Sequence, residues 1–339
     1  MSYDGVIEID GKLMTKHYIE SLGKEEREKL IEPIFQYFRK LGFTYPDDYE
    51  KARREYKRLV DYKCDLDKKE LFNNSSLATY IPKLFCRSFY SATEKNRPKM
   101  IDIFNDDEKL RKTVWNRLGL DWFSETNQSF NISPKMIVQG FRSMRLIAQT
   151  SMYKPDIAKH LYLKYSNEGD ICYDYSAGFG SRFIACMSAG RRYVGIDPLT
   201  IPELRKMAEF FGFKNYILIE GKSEDFRRGE NSIDFAMSSP PYSSQEVYSN
   251  DLSQAYNNGD KYFFDTYWKN TLSNIYHMLK PGKIFALNVK NVPKMLEMAE
   301  EQFKGKCFEE IYLKTIRSHL NKRGKTDAQK MESVYIFKK

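Results

Sequence analysis

From about Asn131 onward, short runs of β-branched and aromatic residues ending in Gly, Asp or Pro alternate with segments long enough for helices. Consecutive parallel strands need a crossover, usually a helix, so this alternation demands a mostly parallel sheet. Strands are expected near 171–175, 193–196, 216–219, 233–237 and 283–289, followed by 307–316 and 333–338. Only a polar, Gly-containing excursion, Ser318 to Gln329, separates the last two, which are therefore expected to pair antiparallel. The fold class that follows is α/β: a seven-stranded, mostly parallel sheet ending in an antiparallel hairpin.

The first 130 residues read differently. Leu30, Ile31, Ile34, Phe35, Phe38 and Leu41 recur at three- and four-residue steps between Lys24 and Gly42, an amphipathic helix ending at a glycine. A second helical pattern, Asp47 to Tyr62, is strongly basic, with Lys51, Arg53, Arg54, Lys57 and Arg58. It reads equally as a phosphate-binding face or as a solvated face held by internal ion pairs. Residues 63–127 show no strand alternation, and their aromatics, interleaved with Lys and Arg, suit core packing better than base stacking. The chain therefore divides into a mainly helical, partly basic domain, 1–130, and an α/β domain, 131–339. The helical part would serve target recognition or partner binding.

The net charge is +9, and residues 51–100 carry 13 basic against 6 acidic residues. Clustered positive charge suits a polyanionic partner, because neutralised phosphates release condensed counterions. No apolar stretch approaches the length of a membrane span and the N-terminus lacks a signal pattern, so a cytoplasmic location is expected. Five widely spaced cysteines and four scattered histidines fit reduced thiols and no metal site.

Two motifs carry chemistry. Between a strand and a helix stands Asp174-Tyr175-Ser176-Ala177-Gly178-Phe179-Gly180-Ser181-Arg182, whose glycines allow a tight turn and close approach of a ligand. Phe183 replaces the third glycine of the dinucleotide pattern GxGxxG. Asp197, at the tip of the next strand, is placed to accept ribose hydroxyls, which implies a nucleoside cofactor. The second motif, Ser238-Ser239-Pro240-Pro241-Tyr242, follows an apolar strand. Its prolines fix the backbone and donate no N–H, leaving Ser239 and the Pro240 carbonyl as acceptors for an amino group, with Tyr242 as a stacking platform.

With these motifs in this order, residues 130–339 resemble the AdoMet-dependent amino-methyltransferases of phage and bacteria, which modify exocyclic nitrogens of nucleobases. The resemblance implies a Rossmann-like class I methyltransferase fold and S-adenosyl-L-methionine (AdoMet) as cofactor. Asp174, Ala177, Gly178 and Gly180 match the motif around the methionine part, and Asp197 matches the ribose-binding acid. Ser223, Glu224 and Asp225 lie in the segment matching the adenine contacts, while Ser239, Pro240, Pro241 and Tyr242 match the catalytic motif. Ser238 and Arg182 are further cofactor candidates, Arg182 toward the methionine carboxylate. Two departures stand out: Tyr175-Ser176 where many members have Pro-Phe, and Lys222 at a position often acidic.

The implied activity is methyl transfer to an exocyclic amino nitrogen of a flipped DNA base, cytosine N4 slightly favoured over adenine N6, in a restriction-modification or phage setting. Alternatives are an RNA base methyltransferase, such as a guanine N2 enzyme, and a non-catalytic AdoMet- or DNA-binding module. Cytosine C5 chemistry is set aside because it commonly uses a Pro-Cys thiolate, and the chain has no Pro-Cys. Nucleic-acid contacts are expected from Arg53, Arg54, Lys57 and Arg58, and from Tyr248 and Tyr256 in the loop after the catalytic motif.

Overall fold

The computed structural model describes residues 2–73, 75–94, 97–120, 129–147, 152–241, 246–247, 253–289, 292–314 and 332–339. The chain forms two compact units, Met1–Tyr49 with Arg87–Thr150, and Glu50–Cys86 with Ser151–Lys339. This differs from a single boundary between 130 and 131: residues 50–86 belong with the C-terminal sheet, for the reasons given below.

In the first unit the amphipathic stretch from Lys24 to Gly42 arrives as two helices, Lys24–Lys29 and Ile31–Leu41. Pro33 has no N–H to offer the carbonyl of Lys29, so the hydrogen-bond ladder restarts there. Gly42 ends the second helix at φ 77°. Ile34, Phe35 and Phe38 are buried along its inner face. Toward the helix Asp107–Arg117, the Arg111 guanidinium lies 3.6 Å from the Phe35 ring centroid and bonds Glu32 at 2.9 Å. Arg39 pairs with Asp107 at 2.7 Å.

The second unit is built on eight strands: β1 (Glu70–Phe72), β2 (Ile171–Asp174), β3 (Arg192–Asp197), β4 (Tyr216–Glu220), β5 (Ile233–Ser238), β6 (Leu279–Val289), β7 (Glu309–Lys314) and β8 (Glu332–Lys338). Their spatial order is β1-β7-β8-β6-β5-β2-β3-β4. β8 runs antiparallel to both neighbours, and the other pairings are parallel. Counted from residue 171 on, the strands follow the order 3-2-1-4-5-7-6 of the class I methyltransferase fold, so the expected fold class holds. Helices Pro155–Tyr165, Ser181–Ser188 and Ile201–Phe211 pack into the same core as the inner side of β2 and β3. Helix Lys269–Met278 packs into the core on the other face.

The additional strand, β1, pairs in parallel with β7, Leu71 opposite Leu313. The basic helix Tyr49–Asp61 joins the same core through Ala52 and Leu59. Tyr56 packs against Phe211 and Phe213 at ring separations of 4.8 and 5.3 Å. Buried Lys159 donates from Nζ to the carbonyls of Leu59, Val60 and Tyr62 at 2.7–3.0 Å, closing that helix with a cation at its negative end. All five cysteines are free. Among the described residues no helix is long and apolar enough to cross a membrane, and no group of three metal-ligating side chains converges.

Candidate active site

The chain leaves β2 toward β3 and β4 on one side and returns to β5 on the other. In open α/β sheets such a reversal opens a crevice beyond the carboxyl ends of the strands, where ligands bind. Both motifs lie there. The turn after β2 takes positive φ at Gly178 (52°) and Gly180 (82°). A Cβ on Gly180 would come within 2.6 Å of Leu204 Cδ2, so glycine is what lets helix Ile201–Phe211 approach. Among the described residues a Cβ on Gly178 would meet only the Ser176 carbonyl, at 3.8 Å, a face on which a ligand could rest. Ala177 is a core residue whose N–H donates to the Ile196 carbonyl.

Asp174 ends β2 with no solvent exposure. Its Oδ2 accepts from Arg182 Nε at 2.9 Å and from the Tyr193 hydroxyl at 2.8 Å. Its Oδ1 accepts from Ser238 Oγ at 2.8 Å and the Ser176 N–H at 3.3 Å. Four donors fill the acceptor capacity of a carboxylate. Arg182 also donates to the Ser176 carbonyl. Burial opposes its charge, but the Asp174 carboxylate outweighs that and holds the guanidinium above its ordinary pKa. Arg182 and Ser238 are thus turned into the protein, engaged with Asp174, rather than presented to the crevice.

Asp197 is half-buried. Oδ1 accepts the N–H groups of Leu199 and Thr200, and Oδ2 accepts that of Gly178 at 3.0 Å. Among the described residues the backbone fills three of its four acceptor positions, leaving room on Oδ2 for one hydroxyl. Beyond β4, Asn274 donates to the Ser223 and Glu224 carbonyls, and Ser223 bonds Thr271 at 3.0 Å. Glu224 is buried, which raises its carboxyl pKa, and it accepts from the Tyr262 hydroxyl at 2.9 Å. Burial and this carboxylate push Tyr262 up to about 12. Asp225 is exposed. Of the expected adenine-side acids, therefore, Asp225 is the one facing solvent.

Ser239, Pro240 and Pro241 follow directly on β5, with Pro240 buried and its neighbours half-buried. The Ser238 carbonyl accepts from the Tyr175 hydroxyl at 3.5 Å, which gives the departure at Tyr175 a structural use. Tyr242 and Tyr248 lie outside the described residues. Tyr256 is 5% exposed within the short turn Ala255–Asn258, so its ring is packed inward instead of offered to a base. On the basic helix Arg53, Arg54, Lys57 and Arg58 are all exposed. Arg53 lies over the Phe210 ring at 4.2 Å and Arg58 pairs with Glu55 at 2.6 Å.

Sequence reasoning overlooked Tyr193. Its ring occupies the space a side chain at Gly195 would take: a Cβ there would sit 2.3 Å from Tyr193 Cε1. A tyrosine two residues before a glycine in a strand was the available signal, since strand glycines mark close approaches. Several buried polar atoms near these strand ends lack a hydrogen-bond partner among the described residues: Tyr153 Oη, Ser181 Oγ, Thr200 Oγ1 and Asn288 Oδ1.

No family description and no curated protein matches the chain. Solved structures resembling it include TrmN from Thermus thermophilus, with 14% identity and a TM-score of 0.39 over 57% of this chain and 51% of that one. Another is the T. thermophilus 16S rRNA N2 G1207 methyltransferase RsmC in complex with AdoMet and guanosine, with 17% identity and a TM-score of 0.36 over 56% and 44%. A third is the Burkholderia thailandensis 1,6-didemethyltoxoflavin-N1-methyltransferase, with 15% identity and a TM-score of 0.39 over 60% and 84%. The chain spans about half the length of the first. At these scores substrate and reaction have to be argued from the residues of this chain.

Proposed function

We propose that the protein is an AdoMet-dependent amino-methyltransferase acting on a DNA base, cytosine N4 ahead of adenine N6. The observation that carries this reading is the placement of Ser239-Pro240-Pro241 directly after β5, across the switch point from an open glycine turn after β2. The residues present fit the cofactor: Gly178 leaves a face open for it, Asp197 keeps an acceptor for a ribose hydroxyl, and exposed Asp225 can meet an amino group of adenine. When bound, AdoMet supplies an activated methyl group on a sulfonium.

An exocyclic amino nitrogen is a poor nucleophile, because its lone pair is delocalised into the ring. Ser239 Oγ and the Pro240 carbonyl accept hydrogen bonds from that nitrogen and favour the pyramidal form that can attack in line. Tyr242 stacks on the flipped base. The exposed cations of the helix Tyr49–Asp61 hold phosphates. Reversing charge at Arg53, Arg54, Lys57 and Arg58 should therefore weaken DNA binding and flatten its salt dependence, and an unchanged slope in a titration against ionic strength would leave that helix as solvated surface.

The deciding experiment incubates the protein with labelled AdoMet and separate DNA and tRNA pools, then identifies nucleosides by mass spectrometry. N4-methylcytosine or N6-methyladenine in DNA supports the reading. Methylguanosine found only in RNA replaces it with an RNA guanine enzyme, and AdoMet binding without product leaves a non-catalytic module.

A further inference from the structure

We propose that Asp174 is a positioning residue which locks the glycine turn and the Ser239 strand end to each other, with Tyr193 and Ser238 as its two arms, and that it is not a ligand for the cofactor. This deepens the assignment of the site and rests on it for the catalytic consequences alone. A carboxylate has about four acceptor positions. Asp174 uses them on Arg182, Tyr193, Ser238 and the Ser176 N–H, and no solvent reaches it. An ammonium or hydroxyl of a bound molecule would have to displace a protein donor from a buried anion.

The four donors come from four different places. Ser176 belongs to the glycine turn, and Arg182, from the first turn of the following helix, also holds its carbonyl. Tyr193 belongs to β3 and reaches Asp174 through the gap left by Gly195. Ser238 is the last residue of β5, one peptide from Ser239, and its carbonyl is held in turn by Tyr175. The sheet register places Cys172 and Tyr173 beside Phe235 and Ala236, and the backbone pairing between β2 and β5 ends there. Past that point Asp174 joins the two strands by side chain: one buried carboxylate fixes the loop that would cradle the cofactor relative to the residue that would orient the substrate.

The test compares wild type with Ser238→Ala, Tyr193→Phe and Asp174→Asn by hydrogen-exchange mass spectrometry, AdoMet calorimetry and steady-state kinetics. If the lock exists, Ser238→Ala, which removes the Oγ bond to Asp174 at 2.8 Å and a longer one to the Ser176 carbonyl at 3.4 Å, raises exchange in peptides covering 176–182 severalfold. It also lowers kcat about tenfold with AdoMet affinity within twofold. Tyr193→Phe raises exchange on both sides to a smaller degree. Combining Ser238→Ala with Asp174→Asn gives little more than Asp174→Asn alone, since both cut the same link. Exchange in 176–182 unchanged by Ser238→Ala, or fully additive effects in the double variant, overturns the lock. The exchange readout needs no turnover: a wild type that neither binds AdoMet nor transfers methyl sinks the proposed function, while the lock stands or falls on the exchange data.

Discussion

The two ends of the sheet handle charge in opposite ways. At the amino end Asp234 of β5 pairs with Lys280 at 2.6 Å, and Lys283 reaches Asp170 at 3.3 Å, with lysines that remain partly in water. At the carboxyl end Asp174 and Arg182 form a pair removed from water, surrounded by hydroxyls, and several buried polar atoms beyond it lack partners among the described residues. A pair whose cation stays in water is screened and contributes little even where, as at Asp234, the carboxylate is buried, whereas a pair with both groups buried is costly to break and keeps its groups in one arrangement. The amino end is therefore the tolerant end, and the carboxyl end is where strict geometry is concentrated.

The sharpest way to break that contrast is Asp174→Ala, which leaves the Arg182 guanidinium buried without its counter-ion. Denaturant unfolding should show a loss of about 3–5 kcal/mol, and a loss under 1 kcal/mol would make the two ends equivalent. Next in size are Ser239→Ala and Tyr242→Ala. Removing an oriented polar group at a reacting centre costs about 10²–10³ in kcat, so methyl transfer should nearly vanish while calorimetric AdoMet affinity stays close to wild type. Asp197→Ala should act on binding instead, weakening AdoMet about tenfold, the loss expected of a hydrogen bond to a charged group. An unaltered affinity would remove Asp197 from the cofactor site.

Smallest is Lys280→Ala, expected to cost less than about 1 kcal/mol and to leave turnover untouched. Its pH dependence sharpens the comparison. Burial alone would raise the Asp234 carboxyl, but the bonds from Lys280 and the Ile171 N–H lower it below the usual 3.8. The pair is thus fully stabilising above that value and loses its contribution as pH falls below it. The stability difference between Lys280→Ala and wild type should shrink in that window, and a difference that persisted in acid would mean the ion pair is not its source.

The seven strands after residue 170 were legible because each is apolar, bounded by turn residues, and separated by a helix-length stretch. β1 was not: three residues cannot display a period of two, and its pairing with β7 bridges more than 200 positions of sequence. Lys159 acts through carbonyls about 100 residues away, which no local pattern encodes. At the site, the positions of Gly178, Gly180 and Ser239 followed from their motifs. The inward turn of Asp174, Arg182 and Ser238 did not, because it depends on Tyr193 arriving from the next strand through the space at Gly195. The same nonlocality explains why the first 130 residues resisted division. Their middle portion looks helical and basic on its own terms, and only the sheet reveals which partner it folds with.

That middle portion has a practical consequence. The polypeptide visits the first unit, the second, the first again and the second again, so neither can be excised as one continuous length of gene. A fragment beginning near 131 would lack β1 and the helix capped by Lys159, exposing the flank of β7 and stranding a buried ammonium without its carbonyls. Transplanting the second unit into another protein would require carrying residues 50–86 along, joined to the rest through a new linker.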